Sequence, residues 1–264
     1  MAAGRRWKRD ELVVVLNLYH KLNFGQFHQR QPAVIALARR LERTPSSVAM
    51  KLSNFASLDP VLKLRNIRGL EGASQLDRAI WNELQDSPTD FIPESEQALR
   101  DLFEATEDVE VEVEPAVGIR FRNRIPNSTE TTANVKLRRG QEFFREAVLN
   151  NFGGRCAVTG LPVRELLVAS HILPWSRYPD ERLNVDNGLC LSRLHDGAFD
   201  RGLISFTDNL EMVLSSRLRC FFDDRAVMEN FGEFEGARLL LPDDAIIPNP
   251  EFIRKHRVEV FQGS

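Results

Sequence analysis

Cysteine is scarce in this chain: Cys156, Cys190 and Cys220 are the only three among 264 residues. So few, so widely separated, exclude a disulfide framework and a four-cysteine zinc staple. Long apolar runs are missing as well, and nothing approaches the roughly 20 residues that a bilayer crossing needs. The N-terminus, MAAGRRWKRDELVVVLNLYH, is basic but lacks the apolar stretch and small-residue cleavage site of a secretory signal. No internal repeat is found. What remains is an ordinary globular composition, 42% hydrophobic and 28% charged. The expectation is a cytoplasmic protein with reduced thiols and no membrane partner.

A large net charge is absent too, since the total is only −3. Its distribution is uneven, however. Residues 1–85 carry a net +7, residues 86–118 a net −10, and residues 119–264 balance, with a basic stretch of net +5 at 120–145. The two basic segments permit a polyanion partner, while the sequence pI of about 6.0 argues against general adhesion to nucleic acid.

The first 85 residues predict helices. Asp10 can cap an amphipathic run with Leu12, Val15, Leu16, Tyr19 and Leu22 on one side. A second helix is expected over Pro32–Glu42, a third after a cap at Thr44 or Ser46, and a fourth over Ser74–Leu84. Two short helices joined by a tight turn are helix-turn-helix-like, and the second of such a pair enters the major groove. Ser46, Ser47, Lys51 and Asn54 would then face DNA, with Arg39, Arg40 and Arg43 available for phosphates. A helical bundle used for dimerisation is the alternative.

Residues 86–128, with Pro88, Pro93, Pro115 and the acidic string EDVEVEVEP, predict a solvated linker carrying at most a short edge strand over Val109–Val113. A new unit is expected from 129 to 264. It begins with a helix over Asn134–Asn151, whose Arg138, Arg139, Gln141 and Arg145 are candidate DNA contacts. A hairpin pairing Cys156–Pro162 with Leu166–Ile172 follows, then a largely helical Leu189–Gly202 and a hairpin around Thr207-Asp208-Asn209.

His171, Asn187, His195, Asp196 and Asp200 fall within thirty residues of one another. Phosphodiester hydrolysis requires a base to activate water and positive charge to stabilise the phosphate. Imidazole, with a pKa near 6.5, suits the first task, and His171 ends an apolar strand. Asp196 and Asp200, at i and i+4, share a helix face, whereas the adjacent His195 and Asp196 diverge by about 100°. Oxygen-rich ligation with one nitrogen favours Mg²⁺ or Mn²⁺.

The strings RRGQEFFREAVLNNFGGRCAVTG, SHILPW, NGLCLSRLHDGAFDRGLISF and NPEFIRKHRVEVF resemble the HNH endonuclease family, particularly its bacterial restriction-type branch. The resemblance covers residues 134–260. It implies an α+β chain: a helical N-terminal domain joined to a C-terminal ββα-metal nuclease domain. His171 becomes the general base. Asn187 becomes the residue whose amide holds the base's loop, with Asn184 as a neighbour that lacks the following Gly-Leu. His195 or Asp196 is ranked ahead of Asp200 as metal ligand, and Asp200 can instead buttress the helix. Ser170 departs from relatives that carry a ligand before the base. Cys156 and Cys190 are expected to be buried thiols. The implied function is a divalent-metal endonuclease of duplex DNA, of restriction type with modification dependence as an option, acting as a homodimer. The alternatives are a non-catalytic DNA-binding regulator and an RNA-directed or toxin-type nuclease.

Overall fold

The computed structural model describes residues 5–65, 67, 69–70, 72–123 and 132–263. The chain divides into two compact units, one ending at Asn150 and the other beginning at Asn151. The expected boundary at 128/129 lies outside the described residues.

The first unit is built around α1 (Arg9–His20), which is buried from Glu11 to Tyr19. The unbroken run Leu12-Val13-Val14-Val15-Leu16 leaves no polar face, so the helix lies in a core rather than on a surface. This corrects the one-sided amphipathic reading. After it come α2 (Pro32–Arg40), α3 (Pro45–Ala56), the short α4 (Pro60–Leu64) and α5 (Gln75–Asp86); α3 and α5 pack against α1, and α2 packs on α3. Thr44 is the cap of α3, its hydroxyl accepting from the Ser47 amide at 3.2 Å. Ser74 and Asp77 form a reciprocal cap on α5.

The acidic segment is folded, not a linker. Pro88 opens α6 (Pro88–Leu102), and Phe91, Ile92 and Leu99 bury one face of it. β1 (Val109–Glu114) and β2 (Gly118–Asn123) form an antiparallel hairpin whose turn contains Pro115. Val111 and Val113 point inward, while Glu112 and Glu114 pair with Arg122 and Arg120 of β2. Alternation with period two makes VEVEVE a half-buried strand, and the basic partner strand offsets its charge. α7 (Thr132–Asn151) also packs here: Phe143 meets His20 edge-on at 5.9 Å between ring centroids.

The second unit holds β3 (Leu167–His171) and β4 (Gly188–Ser192), paired antiparallel with His171 opposite Gly188. α8 (Arg193–Asp200) follows directly, capped by Ser192. Leu189–Ser192 is therefore strand rather than helix, and β3 pairs with β4 rather than with Cys156–Pro162. The buried run Leu189-Cys190-Leu191 fits a covered strand as well as a helix, so periodicity could not decide between them. Gly202 ends α8 at φ 65°, and a Cβ there would come within 2.0 Å of the Val260 carbonyl oxygen. Only glycine fits. β5 (Ile204–Phe206) and β6 (Met212–Leu214) form a second hairpin, followed by α9 (Ser216–Arg219), α10 (Arg225–Asn230) and α11 (Pro250–Glu259). His256 of α11 stacks on Phe199 with ring centroids 3.7 Å apart, bonds Ser205 and Phe199, and so locks α11 to α8 and β5. Cys156 and Cys190 are buried, free cysteines.

Candidate active site

The loop from Ile172 to Asn187 returns the chain from β3 to β4, and Asn187 holds it closed. Its Oδ1 accepts from the Leu173 amide at 2.8 Å, and its Nδ2 donates to the Glu181 carbonyl at 3.0 Å. Asn187 is 1% exposed, so both bonds are shielded from water. Asn184 instead caps the short turn over Val185–Asn187, accepting from the Asp186 amide at 3.0 Å.

His171 stands at the end of β3, where the pinned loop begins. Its Nε2 lies 2.9 Å from the Arg182 carbonyl oxygen. A carbonyl only accepts, so Nε2 carries the ring proton and the lone pair resides on Nδ1. Burial pushes the imidazole pKa below its ordinary value, against the opposing pull of the Arg182 carbonyl and of Asp196. Trp175 meets the ring edge-on at 5.0 Å, and the Arg182 guanidinium lies over Trp175 at 4.8 Å.

A cavity of about 530 Å³ faces His171 and is also lined by Asp196 and Asp200 of α8. One turn apart, the two carboxylates project into the same space. Partial desolvation and the neighbouring Asp196 charge raise the Asp200 pKa. Such mutual repulsion is what a bound cation offsets.

Two paired strands lead into a helix, with a histidine at the end of the first strand and an asparagine holding the return loop, and residues 156–207 match the family model described as HNH endonuclease. The chain carries an HNH domain. No curated protein matches the chain at a significant level. The HNH segment spans β3, β4, α8 and β5, and so includes His171, Asn187, Asp196 and Asp200.

His195 is placed elsewhere. It is 1% exposed and lines a different cavity, beside Asn230. Its Nε2 lies 2.8 Å from the Asn230 carbonyl oxygen and its Nδ1 lies 2.8 Å from the Ser192 hydroxyl. The ring thus donates at one nitrogen and accepts at the other, which leaves no lone pair for a metal. The expectation of His195 as a ligand is corrected by helix geometry: neighbours diverge by about 100°, and Asp196 takes the cleft side. His195→Ala is expected to lower stability by about 2–3 kcal/mol, through a cavity and an unsatisfied Asn230 carbonyl. The folded variant should still cleave. Thermal denaturation with a nicking assay below the transition checks both, and loss of cleavage by fully folded protein would return His195 to the site.

Several candidate DNA contacts are committed to the first unit's interior. Arg43 pairs with Glu11 at 2.7 Å, bonds the Arg5 and Arg6 carbonyls and covers Trp7. Lys51 binds both carboxylate oxygens of Asp77 at 2.8 Å, and Asn54 is 4% exposed. Arg139 is 1% exposed and bonds Gln97, Glu107 and Glu142. Arg138 pairs with Glu107 at 2.6 Å. These five expected contacts are corrected: each side chain is largely sealed from solvent, and a charge already paired there gains nothing by leaving its partner. Ser46 and Gln141 are exposed, Ser47 and Arg145 half-buried, and Arg39 and Arg40 exposed on α2. Arg182 was missed by sequence reasoning, because its closeness to His171 depends on how the long loop folds back.

Proposed function

We infer that the protein is a divalent-metal endonuclease that hydrolyses phosphodiester bonds of DNA, with His171 as general base. The observation that carries this reading is the cleft itself, where an imidazole with its lone pair on Nδ1 faces two carboxylates one helical turn apart. Among the described residues no three His, Cys, Asp or Glu side chains form a closed metal cage. The carboxylate donors lining the His171 cleft are those of Asp196 and Asp200. They suit a hard cation such as Mg²⁺ or Mn²⁺, which retains water and substrate oxygens in its shell.

His171 Nδ1 takes a proton from water as the water oxygen attacks phosphorus. The bond from phosphorus to the 3′ oxygen breaks, and the departing oxygen is protonated from solvent, leaving a 3′ hydroxyl and a 5′ phosphate. Asn187 keeps the loop shut so that the ring cannot swing away. The Arg182 carbonyl fixes the tautomer, and its guanidinium adds positive charge beside the cleft. A divalent cation, when bound, supplies charge to the phosphate oxygens and the leaving group. We read the enzyme as of restriction type, with two chains acting on the two strands of a duplex.

Purified protein with supercoiled plasmid and Mg²⁺ or Mn²⁺ is expected to give nicked and linear products, and EDTA should abolish them. Persistence of cutting in EDTA, or inertness toward both modified and unmodified DNA, would overturn the reading. A parallel RNA substrate separates a ribonuclease from a deoxyribonuclease.

A further inference from the structure

A second cavity of about 640 Å³ opens beside the His171 cleft and shares Pro174, Ser176, Asp200 and Val260 with it. Three arginines line it: Arg177, Arg201 and Arg217. Leu203 and Leu218 form its apolar floor, and Phe221 stands at the edge, 58% exposed. Its negative groups are Asp200 and Glu259. Glu259 is engaged by the Tyr178 hydroxyl at 2.6 Å and by Arg177 at 3.6 Å. Arg201 donates to the Gly197 carbonyl at 3.0 Å. Arg217 makes no ion pair or side-chain hydrogen bond among the described residues and is exposed.

We propose that this groove receives the nucleotide next to the scissile phosphate with its base unstacked, the base against Phe221 and Leu218 and the flanking phosphate against Arg217. The proposal rests on the reading that the His171 cleft holds the scissile phosphate. Guanidinium groups without an acidic partner are suited to phosphate oxygens. An exposed ring beside an aliphatic floor offers a flat apolar face, and inside a duplex both faces of every base are already covered by neighbours. Only an unpaired or extruded base can use that face. The groove continues directly from the cleft, as a strand running past the cut requires. The substrate class so favoured is DNA with a bulge, flap or single-stranded junction at the cleavage point.

Full-length His171→Ala protein, which holds DNA without consuming it, permits the measurement by fluorescence anisotropy. The probes are a fluorescein-labelled paired duplex and the same duplex with one unpaired nucleotide. The bulged probe is expected to bind roughly tenfold more tightly, Phe221→Ala should erase that preference, and Phe221→Trp should keep it. Arg217→Ala should weaken the bulged complex and reduce its salt slope by about one. Equal affinity for the two probes, or a preference that survives Phe221→Ala, overturns the proposal. Cleavage by the wild-type protein is scored separately: plasmid cutting without a bulge preference sinks this inference alone, whereas a bulge preference without cutting sinks the nuclease reading.

Discussion

His171→Ala is expected to slow DNA cleavage by roughly 10²- to 10⁴-fold, the usual loss when a positioned base is removed. Nε2 ties β3 to the Arg182 carbonyl, and in the proposed reaction Nδ1 has the separate duty of taking the proton from water. His171→Asn can keep the first duty, because its amide donates to a carbonyl, but an amide cannot accept a proton near neutrality. Cleavage should therefore be lost equally in both variants, while DNA binding by His171→Ala is retained. Recovery of most of the activity with asparagine would assign the residue a positioning role instead. The pH profile supplies a second readout. Burial holds the His171 pKa below its ordinary value, so the neutral base persists as the medium turns mildly acidic. The rate should fall only as pH drops through that lowered pKa, giving an acid limb centred below about 6.5. A limb centred above that value contradicts the buried environment of the ring.

The parts of the site legible in the sequence are those fixed by local geometry. His171 at the end of an apolar strand, Asn187 before a glycine, and Asp196 with Asp200 at helical spacing all depend on relations within a single hairpin and helix. His195 was misjudged because its identity suggested ligation, whereas only the direction of α8 determines which of two neighbours faces the cleft. The first unit shows the same limit at longer range. Arg43, Lys51 and Arg139 look like phosphate contacts until Glu11, Asp77 and Glu107 are brought to them across 26 to 32 residues of chain. A basic side chain is visible in a sequence, but its distant acidic partner is not. The acidic strand over Val109–Glu114 was readable from its period of two, yet net charge drew the reading toward a solvated linker. Its neutralising partners, Arg120 and Arg122, arrive only once β2 is paired in register.

Lys21→Met is expected to destabilise the first unit by about 3–5 kcal/mol, the cost typical of breaking a buried ion pair from one side. Lys21 is fully buried, with its ammonium 2.6 Å from Glu96 and 3.0 Å from Glu146. Asn17 donates to the same Glu96 oxygen at 3.0 Å, the Val113 amide donates to Glu146 at 2.9 Å, and Asn150 bonds the Lys21 and Val113 carbonyls. The cluster joins α1, α6, β1 and α7, so its loss loosens four elements together. Methionine fills the volume of the aliphatic stem but leaves two carboxyl groups confronting each other without a cation. Burial raises the Glu146 pKa to about 8 even with Lys21 pulling it down, so Glu146 keeps its proton near neutrality. The folded state then binds more protons than the unfolded chain between about 4.5 and 8, and this contribution to stability declines as pH rises through that window. His20, whose Nε2 is sealed without a partner, acts oppositely: burial lowers its pKa to about 4, so stability falls as pH drops from about 6.5 toward 4. Urea denaturation followed by far-UV circular dichroism should place the stability maximum on the acid side of neutrality. Glu96→Gln added to Lys21→Met should recover part of the loss, because Glu96 is the nearer acidic partner of the Lys21 ammonium, at 2.6 Å, and its replacement removes an acid that has lost its cation. A single Lys21→Met variant within about 1 kcal/mol of the parent would mean that water reaches the cluster.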